Sequence, residues 1–472
     1  MCRIPSITLK PFEFDMEDNK MNRRDAIRAM MLAGAGLAVG HSLSAAPLRA
    51  AGVLPQDWKF TEPAKGDQVV HRSWNKLGDS VSLLGMGCMR FPQKPGSRGW
   101  GGPLDQEAVN KMIDYALEHG INYFDTAPAY GDSERATGEA LSRHSRKDYL
   151  LATKLSNFQN AELGACKDMF ANSLKNLRTS YFDYFLLHSL DSVEDFRKRF
   201  VDNGLLPWLL EQKKKGVIRH LGFSFHGSNA ALKTMLGMPY TWDFVQIQLN
   251  YVDWKEMPLE GSSEPCDSET LYKMLEAKGI PVVIMEPIRG GALANVPKGL
   301  QDKIHQRFPQ LSPAGAALTF ASSFPGVLCT LSGMSNMQQL MENVYTFSHF
   351  KPFTEQDNAY MLEMARLYNA NPHVPCTACR YCMPCPRGVD IPGVFAVYNG
   401  LSDELMLPDP SYRKDPQYKE KRKEFLKRYA KLAKDTDASA CVMCNACLPK
   451  CPQHIRIPRQ MRNIHKLVND LG

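Results

Sequence analysis

The chain has 472 residues, room for two or three domains. Hydrophobic residues make up 44% and charged residues 23%, a globular balance that excludes a disordered or fibrous chain. A net charge of +7 is too mild to argue for nucleic acid and no DNA- or RNA-binding motif is present, while eight of the 13 cysteines crowd between Cys376 and Cys451 at CxxC spacing, which favours metal over a disulfide scaffold.

The N-terminus reads as an address. Asn22-Arg23-Arg24-Asp25 precedes the apolar run AIRAMMLAGAGLAVG and the small-residue exit SAAPLRAAG. Paired arginines, a Gly/Ala-rich apolar segment and an Ala-x-Ala-like exit predict a twin-arginine signal over residues 1–51, beginning in effect at Met21 and removed on export. The alternative is a short membrane-associated helix, although the run is too short and glycine-rich to span a bilayer well. The twin-arginine route carries folded proteins, which suits one that takes up a cofactor first. The expected location is the periplasm or cell envelope, with the cytoplasm second. No other segment reads as transmembrane.

From about Ser80 to Phe347, short apolar runs alternate with amphipathic ones. The strand-like runs are SVSLLGMGCM, INYFDTA, DYLLATK, YFDYFLLHS, IRHLGFSF, FVQIQLNY, PVVIMEP and GVLCTLSG. Helix-like stretches lie between them, several closing on glycine before the next strand, as at Gly120, Gly216 and Gly279. Eight such repeats predict an α/β fold, a closed (β/α)8 TIM barrel. An open doubly wound sheet is the alternative, but no Gly-x-Gly-x-x-Gly turn follows the first strand. Residues 351–370 read as a connection with one helix, and 371–472 as a mostly helical domain carrying the cysteines. Within it, Phe425, Tyr429 and Leu432 share one face of a basic run, 412–434. The preferred reading is a solvated helix lying on the domain; a docking surface for an acidic electron-transfer partner is the other.

In such a barrel the catalytic groups stand at the C-terminal strand ends. Those ends carry Asp125, Lys154 and His188 on successive strands, with Tyr130 in the loop after Asp125. A tyrosine with a pKa of about 10 exchanges protons poorly at neutral pH. A neighbouring Lys154 cation is expected to favour the tyrosinate, with Asp125 keeping that lysine charged. His188 then positions a carbonyl oxygen or shares its proton, and Tyr130 protonates that oxygen as hydride reaches carbon, general acid help worth on the order of 10²–10⁴ in rate.

FDTAPAYG, ATK, FLLH and LGFS in this eight-fold pattern resemble the aldo-keto reductase family over roughly residues 67–350. The family's catalytic Asp, Tyr, Lys and His fall on Asp125, Tyr130, Lys154 and His188. The resemblance implies carbonyl reduction or its reverse on a small molecule, with NAD(P)H lying extended over the barrel mouth. It places Ser224 and Gln246 at the nicotinamide carboxamide and Met285 where many members stack a tyrosine on the ring. The phosphate-side loop TLSGMSNMQQLMENV offers Ser332, Gly333 and Ser335 at a helix N-terminus, with Asn343 retained. Gln339 and Gly333 stand where an arginine and a lysine are common, so NAD is expected over NADP. Arg289, in PIRGG, is read as the nearby cation for the diphosphate, with a surface loop arginine as the alternative. The loop 252–268 and the insertion 401–411 are expected to shape the substrate pocket.

The cysteines form an internal repeat. Cys376-x₂-Cys379-x₂-Cys382-x₂-Cys385-Pro is followed by Cys441-x₂-Cys444-x₂-Cys447-x₃-Cys451-Pro. The second copy has the bacterial ferredoxin spacing for [4Fe–4S], and the first is one residue short before its last cysteine. In two-cluster ferredoxins the fourth cysteine ligates the other cluster. That logic predicts two [4Fe–4S] clusters, one on Cys376, Cys379, Cys382 and Cys451, the other on Cys441, Cys444, Cys447 and Cys385. Zinc competes, but the third cysteine of each triplet and the Cys-Pro ending favour iron–sulfur. Cys88, Cys166, Cys266 and Cys329 read as core or surface thiols. The whole chain resembles bacterial aldo-keto reductases with a C-terminal two-cluster ferredoxin-type domain. That implies an oxidoreductase exchanging electrons with a partner protein. The alternative is an iron–sulfur electron-transfer module whose barrel is a binding scaffold without nicotinamide chemistry.

Overall fold

The computed structural model describes residues 61–95, 102–256, 265–370, 372–404, 406–433 and 435–472. The predicted signal, 1–51, lies outside them. Eight strands close a parallel barrel: β3 (Leu84–Gly87), β4 (Tyr123–Asp125), β5 (Leu150–Leu155), β6 (Phe182–Leu190), β7 (Ile218–Phe225), β8 (Phe244–Gln248), β9 (Val282–Met285) and β10 (Val327–Ser332). Each pairs with its sequence neighbour, and β10 returns to β3 through Thr330 opposite Leu84. The predicted barrel is therefore the observed one. The first predicted strand is divided, because Ser80–Ser82 (β2) pairs antiparallel with His71–Ser73 (β1) in a separate hairpin.

That hairpin closes the N-terminal end. Leu77 and Val81 join Tyr123, Tyr184, Phe244 and Cys329 in an apolar plug inside the barrel. Tyr123 and Phe244 each meet Tyr184 edge-on with ring centroids 5.0 Å apart. At the same end Asp79 accepts from Arg219 at 2.7 Å and contacts His220 at 2.9 Å, a structural ion-pair belt far from the strand C-termini. Such belts at the bottom of a barrel serve stability. Around the barrel, helices begin on side-chain caps such as Asp105, which accepts from the Ala108 N–H. The three predicted glycine stops, Gly120, Gly216 and Gly279, all adopt the left-handed backbone a helix exit needs.

The helix Glu355–Asn369 starts on a capping box between Thr354 and Asp357. It buries Met361, Met364 and Tyr368 against the barrel's outer core, so the predicted connection is part of the barrel's packing. Beyond it, Ile391–Asp403, Tyr418–Tyr429 and Ile457–Leu471 are helical, and Val394, Phe395, Phe425, Met461 and Ile464 form a second core. Phe425 and Tyr429 are buried on the basic helix as expected, while Leu432 lies past its end. No helix among the described residues is long and apolar enough to cross a membrane.

Candidate active site

The strand ends converge. Asp125 closes β4, Lys154 is the penultimate residue of β5, and both are buried. The Lys154 ammonium donates to Asp125 Oδ1 and, at 3.0 Å, to the Thr126 carbonyl. Burial works against both charges, raising Asp125 and lowering Lys154, and each partner's charge opposes that drift. His188 sits where the register of β6 against β7 shifts between Leu187 and Leu190. Ser189, with φ +55°, makes the bulge, and bulges beside active sites re-aim side chains. The Ser189 N–H donates to Ser224 Oγ at 2.7 Å, and Arg199 donates to the His188 carbonyl at 2.7 Å. His188 Nδ1 meets the Ser156 hydroxyl at 2.6 Å. With that hydroxyl donating, the ring proton sits on Nε2, toward the cavity. Burial, Lys154 and Arg199 hold the imidazole pKa well below its usual range, so it is neutral at pH 7.

Tyr130 stands in the short helical turn Pro128–Tyr130, its ring edge-on to His188 with centroids 5.7 Å apart. The Lys154 ammonium lies over that ring, 5.0 Å from its centroid. One expectation is corrected here. Burial is the largest influence on the Tyr130 hydroxyl, and Tyr381, Asp125 and Glu286 push the same way, so its pKa rises well above the usual value. The lysine does not make it a tyrosinate in the closed site; Tyr130 is held as an acid.

One cavity joins these four residues to most of the predicted nucleotide contacts. Ser224, Gln246, Met285, Ser332, Gly333, Ser335 and Asn343 all line it. Gln246 Oε1 is buried and has no hydrogen-bond partner, an acceptor suited to the N–H of a carboxamide. Asn343 donates to Ser332 Oγ at 2.9 Å, and Gln339 Oε1 accepts from the Ser335 N–H at 2.8 Å, so this loop is ordered from within. Arg289 is the exception. The loop after β9 reverses through Glu286 and Arg289, at φ +55° and +50°, and turns the guanidinium inward. It is 7% exposed and pairs with Asp253 at 3.4 Å. Arg90 lines the cavity instead. Its stem covers Gly333, where an added Cβ would meet Arg90 Cδ at 3.2 Å. Nothing in the local sequence of CMRF marked it.

The cysteine domain supplies the remaining wall. Cys379, Tyr381, Pro452 and Gln453 line the same cavity, whereas no described residue of 252–268 or 401–411 does. For 401–411 the expectation is corrected, since Leu401 packs in the second core; in the other loop Asp253 is tied to Gln248 and Asn250, while residues 257–264 lie outside the described residues. Tyr381 Oη lies 3.4 Å from His188 Nε2. Gln453 donates to Gln248 at 2.9 Å, and Arg90 donates to the Thr377 carbonyl at 2.5 Å.

The eight thiols surround two further cavities. Cys376, Cys379, Cys382 and Cys451 line one; Cys385, Cys441, Cys444 and Cys447 line the other. The walls are otherwise largely apolar, with Ile391 and Ile457 between them. The repeat extends to the backbone: Ala378 and Arg380 in the first copy, Met443 and Asn445 in the second, are left-handed at equivalent positions. That winding turns amides inward, as where the Ala378 N–H donates to Cys376 Sγ at 3.4 Å. No group of three or more His, Cys, Asp or Glu among the described residues is gathered tightly enough for a single ion. Four thiols spread around an apolar hollow suit a polynuclear cluster better than zinc.

Comparison with known proteins agrees with both halves. Residues 83–366 match the model of the aldo/keto reductase family, and 375–455 match that of the 4Fe-4S dicluster domain. The Bacillus subtilis protein described as uncharacterized oxidoreductase YqkF is 25% identical over 60% of this chain and 93% of its own. D-arabinose 1-dehydrogenase of Saccharomyces cerevisiae is 35% identical over a shorter stretch, 25% of this chain and 36% of its own. Among solved structures, the holo form of aldo-keto reductase AKR11C1 from Bacillus halodurans shares the fold at a TM-score of 0.50 and 23% identity, covering 63% of this chain and 96% of that one. With a matched model spanning more than half its length, the chain belongs to the aldo/keto reductase family, as an oxidoreductase that carries a 4Fe–4S ferredoxin-like domain after its barrel.

Proposed function

We propose that the protein interconverts a carbonyl and an alcohol at the barrel mouth and exchanges the electrons with a partner protein through two [4Fe–4S] clusters. The observation that carries this reading is the convergence of Asp125, Lys154, Tyr130 and His188 on one cavity that also holds the unpartnered Gln246 Oε1. A nicotinamide bound there supplies or takes up the hydride. Gln246 would accept from its carboxamide, Met285 would lie at its ring, and Ser332, Gly333, Ser335 and Asn343 would hold the phosphate side. Gln339 and the half-buried Glu342 line that end, so a 2′-phosphate would meet a carboxylate there and NAD is preferred.

In the reducing direction Tyr130 donates its proton to the substrate oxygen, which neutral His188 holds through Nε2–H. The phenolate left behind is stabilised by the Lys154 ammonium, which Asp125 keeps in place. In the oxidising direction the same phenolate accepts the alcohol proton. Cys376, Cys379, Cys382 and Cys451 hold one cluster, and Cys441, Cys444, Cys447 and Cys385 the other. Export by the twin-arginine signal fits a protein loaded with its cofactors before it crosses the membrane.

Mass spectrometry of the full chain under oxygen-free, non-denaturing conditions should find eight iron atoms (two clusters of four). It should also find one dinucleotide. Tyr130→Phe should abolish turnover of every carbonyl tested with iron content unchanged. Retained turnover would refute the tyrosine mechanism. Absence of any dinucleotide from the protein, or of binding when NADH is added, would favour the barrel as a scaffold.

A further inference from the structure

The residue that closes the catalytic cavity comes from the cysteine loop. Tyr381 lies between Cys379 and Cys382, and its ring reaches across to the barrel mouth. Its hydroxyl stands 3.4 Å from His188 Nε2, and Tyr381 lines the same cavity as Tyr130. In the proposed mechanism a substrate oxygen must meet His188 and Tyr130, so the Tyr381 hydroxyl takes the place of one of its two contacts. The ring is flanked by His188 and by Phe158, with centroids 6.3 and 6.1 Å away. Phe158, in the loop after β5, is 44% exposed, so this aromatic group forms the rim between cavity and solvent.

The position is held from both sides. Arg90 grips the Thr377 carbonyl, and Gly290 approaches Thr377 so closely that a Cβ there would meet its oxygen at 2.4 Å. Gln453 is locked to Gln248 by reciprocal amide bonds of 2.9 and 3.3 Å. His454 contacts the His226 carbonyl at 2.9 Å. The cysteine loop is therefore clamped onto the barrel, and Tyr381 is placed by that clamp.

We propose that Tyr381 is a specificity-determining residue whose hydroxyl occupies the substrate-oxygen position in the free enzyme, so that a substrate binds only by displacing it. Its backbone is shared with Cys379 and Cys382, so the displacement also moves the loop around the first thiol cavity. Coupling of this kind is reciprocal: what fixes the loop also sets how readily the pocket opens. The inference rests on the carbonyl site proposed above, but it is read by binding rather than turnover, so failure of the hydride chemistry leaves it standing.

The test uses full-length protein with its iron retained, prepared without oxygen, and benzoate as probe. A benzoate oxygen accepts from the same two donors. Calorimetry should show Tyr381→Phe binding benzoate about three- to tenfold more tightly than the parent, since one competing hydrogen bond is removed while the ring stays. Tyr381→Ala should bind at least as tightly as Tyr381→Phe. Weaker or unchanged binding in both variants would overturn the proposal, and so would absence of binding in all three proteins, because the alanine variant leaves both donors free. Benzoate should also change the visible circular dichroism of the iron–sulfur chromophore in the parent and not in Tyr381→Ala. A parent spectrum unmoved at saturation would overturn the coupling to the loop.

Discussion

Asp125→Asn tests whether the buried lysine is charged. Lys154 is 1% exposed, and its ammonium is held by Asp125 and one backbone carbonyl at 3.0 Å. Removing one partner of a buried ion pair leaves the other charge uncompensated and typically costs about 3–5 kcal/mol. Asparagine retains one acceptor, so the lower figure applies, about 3 kcal/mol, or a factor of roughly 150 in the folded-to-unfolded ratio. Adding Lys154→Met removes the stranded charge and fills the space, and should recover about 2 kcal/mol or more of that loss. Tryptophan fluorescence during a urea titration isolates the barrel, because none of the six tryptophans lies beyond Trp254. The reasoning fails if Asp125→Asn costs less than about 1 kcal/mol, or if the double variant is no more stable than the single one.

Burial holds the His188 pKa well below its usual value, so the native state binds fewer protons there than the unfolded chain below about pH 6.5. Its contribution to stability is full above that pH and falls as pH drops toward the lowered folded value, by up to about 1.4 kcal/mol per pH unit. His188→Asn should flatten the fall between pH 6.5 and 5 in the same urea assay; an unchanged slope would contradict the neutral assignment. Cys451→Ser and Cys385→Ser should each remove about half the iron but from different clusters, distinguishable by electron paramagnetic resonance of the reduced protein. Loss of the same signal in both would refute the crossed ligand sets. Gln339→Arg should shift the NADPH-to-NADH binding ratio upward by about tenfold, measured by quenching of nicotinamide fluorescence; no shift would place the ribose phosphate elsewhere.

The barrel and the four polar side chains that converge at its mouth were written locally. A buried parallel strand is a short apolar run, so a polar residue at its C-terminal end stands out, as Asp125, Lys154 and His188 do. The thiol groupings were likewise legible, since the ferredoxin-like spacing assigns each triplet the other copy's fourth cysteine, and the same groupings line the two cavities. What the tertiary structure alone decided was everything that depends on one segment meeting another far along the chain. Arg289 had the charge for a diphosphate, but the reversal of its own loop delivered it to Asp253. Arg90 had no local mark and reached the cavity because β3 closes beside β10. Tyr381 looked like a spacer between two cysteines, and became a wall of the catalytic pocket through contacts 193 positions away in sequence. Strand periodicity and cysteine spacing are short-range signals that one segment carries by itself. The docking of the cysteine domain on the barrel rests on a few specific contacts such as Arg90–Thr377 and Gln248–Gln453, which have no period and exist only once both halves are folded.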